Sequence, residues 1–251
     1  MQIRVINPNT TARMTALIGG AARAVAAGGT VITAVNPSFG APSIECHLDD
    51  VWAAAGVAEQ VRIGETDGAE AYVIACFGDP GLHAARELAR GPVIGIAEAA
   101  FHAASLVATG FSVVTTLTRT CVIAEHLVLQ YGFERRCRGI HGTDIAVLEL
   151  EDPASDAYAR ILASARHALQ HDHSGAIVLG CAGMANLCHR LQVELGVPVI
   201  DGVAAAVKLA EGLVSMGVGT SKLGDYAAPP AKAYTGLAAP FSPTRRGEVK
   251  G

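Results

Sequence analysis

The sequence predicts an α/β protein of two pseudo-symmetric domains, each a mostly parallel sheet flanked by helices, with a site where the two domains meet. Three observations predict it. Short β-branched apolar runs alternate with Ala-rich stretches of helical length along the chain. The strand segments are apolar throughout rather than alternating, as expected of parallel strands covered on both faces. The sequence also repeats itself: AYVIACFG at 71–78 returns as AIVLGCAG at 176–183, an offset of 105, and PVIGIAEAA at 92–100 returns as PVIDGVAAA at 198–206, an offset of 106. Val5-Ile6 matches Val113-Val114 at an offset of 108, so three matches fall in one order at nearly one spacing.

Taken in order, the runs place strands over 3–6, 30–35, 71–75 and 93–96, then over 112–115, 133–139, 176–179 and 199–200. Helices are predicted over 11–27, 49–67, 81–89, 97–108, 121–131, 156–171, 185–195 and 203–216. Asn9 and Thr10 stand as caps before the first helix, and Asp152 and Ser155 before the sixth. The repeat puts the boundary between halves near 97–110. The Ala-rich helix from Val203 is expected to pack back on the first half. The domains are therefore read as 1–97 plus 205–251, and 98–204. The tail from Ala227, rich in Pro, Ala and Gly, is expected to be partly ordered at best.

Hydrophobic residues make up 51 % and charged residues 17 % of the 251, enough apolar material for a buried core. A net charge of −4 with no basic stripe argues against nucleic acid or an anionic membrane as partner. The sequence has no run of about 18 apolar residues and no signal-peptide pattern at its N-terminus, so a cytoplasmic location with reduced cysteines is expected.

Cys76 and Cys181 carry the chemistry. Each follows an apolar strand and is followed within two residues by glycine, Phe77-Gly78 in one half and Ala182-Gly183 in the other. Ligands of open parallel sheets bind beyond the carboxyl ends of strands, and glycine lets backbone N–H groups approach them. A helix starting soon after is expected to lower each thiol pKa. A repeat can also preserve two packing cysteines under a tight turn, which is the plainer alternative. Two thiols on two walls suit inversion of a stereocentre beside a carbonyl, which needs a base on one face and an acid on the other. Three polar loops are placed to shape the pocket. They are 7–11 with Asn9, 40–45 with Ser43 and Ile44, and 115–120 with Thr116 and Thr118. Turn and cap chemistry accounts for Asn9 and Thr118 equally well.

Other chemistries fare worse. The lysines are Lys208, Lys222, Lys232 and Lys250, none near a strand end, so a pyridoxal Schiff base is not signalled. His171 and His173 in a polar stretch read as a solvated loop rather than a metal site. The 217–222 stretch GVGTSK follows a helix and lacks phosphate-loop spacing, so it reads as a helix-terminating loop.

The residues around the cysteines, IACFGDPG at 74–81 and VLGCAGM at 178–184, together with RVINPNTT at 4–11, resemble the Asp/Glu/hydantoin racemase superfamily. Within it they are most similar to hydantoin and allantoin racemases. The resemblance implies two α/β domains with the site between them, Cys76 and Cys181 as the paired acid and base, and no metal or cofactor. Amino-acid racemases of the superfamily typically carry Cys-Asn-Thr and Cys-Thr-His where this chain has Cys76-Phe-Gly and Cys181-Ala-Gly. That departure implies a neutral cyclic ureide rather than free aspartate or glutamate. A decarboxylase branch keeps one of the two cysteines, so the presence of both implies racemisation. Phe77 and Ile44 are expected to line the pocket for the C5 substituent, and the N–H groups of Phe77, Gly78, Ala182 and Gly183 to support the enolate. The expected protein is a homo-oligomer acting on a small molecule. The alternatives are an isomerase or decarboxylase on a dicarboxylate, for which Arg119 is the obvious cation, and a non-catalytic metabolite binder.

Overall fold

The computed structural model describes residues 1–152 and 154–243. The first half runs β1 (Gln2–Ile6), α1 (Ala12–Val25), β2 (Val31–Val35), α2 (His47–Asp67), β3 (Ala71–Ile74), α3 (Leu82–Leu88), β4 (Val93–Gly95) and α4 (Ile96–Val107). The second runs β5 (Phe111–Thr115), α5 (Cys121–Gln130), β6 (Cys137–Gly142), α6 (Ala157–His171), β7 (Ala176–Leu179), α7 (Cys188–Leu195), β8 (Val199–Asp201) and α8 (Gly202–Ser215). The strands form two four-stranded sheets, ordered β2-β1-β3-β4 and β6-β5-β7-β8, with every pairing parallel.

The repeat read from sequence reappears in the register. Ile3 lies opposite Ala71 in the first sheet and Phe111 opposite Ala176 in the second. Because Ala71 and Ala176 are repeat equivalents, β1 and β5 are related by 108 residues, the offset at which Val5-Ile6 matched Val113-Val114. The central strands β1, β3, β5 and β7 are buried almost throughout, which is why they read as continuous apolar runs.

One strand departs from expectation. Residues 133–136 form a turn, and β6 begins only at Cys137. Gly132 takes a φ of 76° past the end of α5, and Phe133 N–H donates to the Val128 carbonyl. This is a Schellman closure, which spends Phe133 on ending a helix rather than starting a strand. Phe133 then packs against Phe101 and Phe111, at ring centroid distances of 5.7 and 6.2 Å. Its apolar character serves the core, not β6. The helix expected over 185–195 is also shorter, because Ala182–Leu187 winds as a 3-10 turn before α7.

The helix from Val203, α8, packs on α1, β3 and β4 of the first half as well as on α4. Its Glu211 carboxylate accepts from Ala27 N–H at 2.7 Å, tying it to the end of α1. One apolar cluster joins both sheets through α1, α4 and α8, with Phe101 stacked on Phe111 at 5.4 Å and edge-on to Phe77 at 5.6 Å. The 217–222 stretch ends α8 as expected, with Gly217 at a φ of 72°. His171 closes α6 and stacks on His167 at 3.9 Å. Of the tail from Ala227, residues 227–243 are placed on the surface of the first half. Pro240 accepts from Arg62 at 2.6 Å, and Phe241 packs edge-on to Phe39 at 6.2 Å. Residues 244–251 lie outside the described residues. No helix among those described is long and apolar enough to cross a membrane.

Candidate active site

The two cysteine turns are built alike. The ladder ends with Ala75 N–H donating to the Ile6 carbonyl in one half and Gly180 N–H to the Val114 carbonyl in the other, each at 2.8 Å. The chain then turns back: Asp79 N–H donates to the Cys76 carbonyl and Met184 N–H to the Cys181 carbonyl, each at 3.0 Å. Inside each turn the backbone N–H of a glycine, Gly78 or Gly183, favours the thiolate of the cysteine two residues before it. Both sulfurs border one cavity of about 70 Å³.

Its walls come from several elements. Asn9, Ile44, Cys76, Phe77, Gly78, Thr116, Cys181 and Ala182 all line it as expected. Ser43, Thr118 and Gly183 do not. Thr118 is exposed and holds the turn before α5, its N–H donating to Asp144 at 2.9 Å. The Cα of Gly183 faces the Leu150 side chain, where an added Cβ would sit 3.1 Å from Cδ1. Arg119 is exposed and outside the lining, so no cation borders the cavity among the described residues.

One expectation about the thiols needs correction: their pKa values are not lowered. Burial pushes Cys76 up to about 12, against the Gly78 N–H and with added push from the charges of Cys181, Asp50 and Asp79. Burial likewise raises Cys181 to about 11, against the Gly183 N–H. Desolvation thus outweighs the hydrogen bond at both sites.

Asn9 lines the cavity, and its Oδ1 accepts from Thr11 N–H at 2.9 Å in a turn ahead of α1. It serves as a turn residue and not as the helix cap, since the N-cap is Thr11 and makes no side-chain cap bond. Its neighbour Asn7, 1 % exposed, donates to Asn9 Oδ1 at 2.8 Å and to Thr15 Oγ1 at 3.0 Å, which fixes the loop. On the other side Gly180 lies so close to Thr115 that a Cβ would come within 2.6 Å of Thr115 Cβ.

Two acidic residues escaped the sequence reading. Asp50, in the first turn of α2, lines the cavity, and burial raises its pKa against the nearby His47. Asp79, 5 % exposed and at a φ of 44°, accepts from the N–H groups of Ala97 and Glu98 at 3.1 and 3.0 Å and from Tyr131 at 2.9 Å. Burial lifts its pKa to about 7. In the second half Asp201 does the same for α8, accepting from Val203 and Ala204. Its repeat equivalent is Gly95, and the Asp79 carboxyl occupies the space a Gly95 side chain would take. The first half thus takes its helix cap from the cysteine turn, and this was legible as the missing acid opposite Asp201.

The other four cysteines are free and lie away from the cavity lining. Cys188 donates to the Val199 carbonyl at 3.1 Å and Cys137 to the Gly139 carbonyl at 3.6 Å. Among the described residues no group of three or more His, Cys, Asp or Glu is arranged to hold a metal ion.

A family model described as Asp/Glu/Hydantoin racemase matches residues 3–210. The chain is 50 % identical over 236 residues to a hydantoin racemase of Rhizobium meliloti, covering 94 % of this chain and 98 % of that one. An allantoin racemase structure from Klebsiella pneumoniae superposes with a TM-score of 0.95 at 56 % identity, covering 97 % and 100 % of the two chains. An allantoin racemase from Pseudomonas fluorescens superposes with a TM-score of 0.91 at 40 % identity, covering 94 % and 100 %.

Proposed function

We propose, from the premise that this chain belongs to the Asp/Glu/hydantoin racemase family, that it racemises 5-monosubstituted hydantoins, allantoin among them, with Cys76 and Cys181 as paired base and acid. The observation that carries this reading is the meeting of two like-built cysteine turns, one from each half, on a single small cavity. A cavity that no cation among the described residues borders suits a neutral ring better than a dicarboxylate.

The hydantoin C5–H is acidified by the adjacent C4 carbonyl. A thiolate at one cysteine takes the C5 proton, the C5–H electron pair becomes the C4–C5 double bond, and the charge moves to the C4 oxygen. The second cysteine then returns its proton to C5 from the opposite face as the double bond reverts. The first cysteine is left as thiol and the second as thiolate, so the reverse reaction runs through the same pair with roles exchanged. The glycine N–H on each sulfur stabilises whichever thiolate is present. No step calls for a metal or cofactor. The Asn9 amide and the Thr116 hydroxyl are the polar groups on the lining best suited to hold the ring.

The test is polarimetry with EDTA present on allantoin and on 5-methyl-, 5-isopropyl- and 5-benzylhydantoin, for the parent protein and for Cys76→Ser and Cys181→Ser. Both variants are expected to lose racemisation. In deuterated water each is expected to exchange the C5 proton of one enantiomer without inverting it, and the two variants to choose opposite enantiomers. A single variant that still racemises at a substantial fraction of the parent rate refutes the two-thiol mechanism. Loss of parent activity on chelation, restored by a divalent metal, refutes its independence of metal.

A further inference from the structure

The cavity lining is apolar over most of its extent, and among the described residues it carries a single charged side chain, Asp50. The position of Asp50 is fixed relative to the Cys76 thiol through Gly78. A Cβ built on Gly78 would lie 3.4 Å from Asp50 Oδ1, 3.7 Å from Ile123 Cγ2 and 3.9 Å from Cys76 Sγ. The carboxylate oxygen and the sulfur are therefore no more than about 7 Å apart, on either side of a glycine that keeps the space between them open. Among the described residues no side chain or backbone group donates a hydrogen bond to the Asp50 carboxylate; its charged neighbour is His47. A half-buried carboxylate that borders a cavity is held there at a cost in desolvation, which a ligand donor offsets.

We propose that Asp50 is the specificity-determining residue for the C5 substituent and selects one that donates hydrogen bonds, a ureido group above all, over alkyl and carboxylate substituents. This rests on the reading of the chain as a hydantoin-type racemase. When C5 lies against Cys76, a ureido group places its terminal N–H groups about three bonds, roughly 4 Å, from C5. That length spans the gap between the thiol and the Asp50 carboxylate. The two N–H groups of a urea match the two oxygens of a carboxylate in a charge-assisted pair. An alkyl substituent leaves Asp50 desolvated and unpaired, and a carboxylate substituent meets like charge. Ile44, Phe77 and Ile123 supply apolar walls that every substituent shares, so they do not discriminate.

The experiment compares kcat/KM for allantoin, 5-isopropylhydantoin and 5-(2-carboxyethyl)hydantoin in the parent, Asp50→Asn and Asp50→Leu. The parent is expected to rank them in that order. In Asp50→Leu the ratio of allantoin to 5-isopropylhydantoin is expected to fall roughly tenfold or more, chiefly through the KM for allantoin. The carboxyethyl substrate is expected to gain relative to allantoin. Asp50→Asn keeps the shape and one acceptor oxygen, so its ratio is expected to fall between the other two. Equal losses on all three substrates would overturn the assignment and make Asp50 a positioning residue for Cys76. An unchanged ratio with unchanged rates would overturn it as well. In both cases racemisation by the parent leaves the functional reading standing. A parent that racemises no member of the panel sinks that reading, and this assignment with it.

Discussion

At the scale of single residues, the two thiols share a construction but not an environment. Cys76 meets the charges of Asp50, Asp79 and Cys181, whereas Cys181 is opposed from a neighbouring element only by Glu45. Both thiols are raised above the ordinary thiol value, so the base form is scarce at neutral pH and grows as pH rises toward about 11 for Cys181 and about 12 for Cys76. The expected outcome is a kcat/KM that climbs from about pH 6 to about pH 9 without an acid-side plateau, after subtraction of uncatalysed racemisation. A flat profile over that range, measured by polarimetry, would contradict the burial argument. The same shifts bear on stability. A thiol whose folded pKa lies above its unfolded value favours folding fully below about pH 9, and that contribution is lost as pH rises through the folded values near 11 and 12. Thermal melts are therefore expected to hold steady where activity is measured and to decline only on the alkaline side.

At the scale of elements, the two halves cap equivalent helices by different routes, and a single glycine records the difference. Asp201 caps α8 from its own position, while α4 is capped by Asp79 reaching over Gly95. A methyl group on Gly95 overlaps the Asp79 carboxyl, which three donors hold in place. Gly95→Ala is expected to cost about 2 kcal/mol or more, as a lost cap plus an ill-satisfied buried carboxylate. Because Asp79 N–H also closes the Cys76 turn, kcat is expected to fall with it. Gly20→Ala in α1 and Gly212→Ala in α8 meet nothing within 4 Å, so each is expected to stabilise by about 0.5–1 kcal/mol. Chemical denaturation of the three variants separates these outcomes, and a neutral Gly95→Ala would remove the proposed role of the Asp79 cap.

The contrast between these helices also marks what a sequence reveals. Strand identity, sheet parallelism, the repeat and the pairing of Cys76 with Cys181 follow from local apolar runs and spacing, which survive in one dimension. Asp50 gave no signal of its own in the sequence, because its facing the cavity depends on how α2 meets the Cys76 turn. Phe133 read as strand because apolar character alone does not say whether a side chain fills a core from a strand or from a helix end. Thr118 read as a pocket residue because its loop follows a strand, yet the side chain leaves in the other direction.

At the scale of the whole molecule, the repeat predicts two units, while the packing joins them through one core. The largest apolar cluster takes residues from both sheets, and Phe101 of α4 sits within it against Phe111 and Phe133 of the second half and Phe77 of the cysteine turn. The two helix starts that follow β4 and β8 also meet, since a Cβ on Gly202 would come within 2.5 Å of the Ile96 carbonyl. Two halves that share a core cannot lose it one at a time without exposing apolar surface on the other, at roughly 25 cal/mol for each Å² uncovered. The expected behaviour is therefore a single cooperative transition in denaturant, even though 251 residues is long for two-state unfolding. Trp52, the one tryptophan, lies on α2 and reports on the first half by fluorescence, while far-ultraviolet circular dichroism reports on both. Their midpoints are expected to coincide. Phe101→Ala removes a fully buried ring at the junction and is expected to cost about 3–5 kcal/mol. It is expected to move both midpoints down together, and to lower kcat because Phe77 loses its edge-on support. Should Trp52 fluorescence and circular dichroism separate in the parent, the halves unfold independently and the shared core is not what couples them. Should they separate only in Phe101→Ala, that ring is the coupling element, and the cavity between the thiols is expected to lose its fixed width in the same variant.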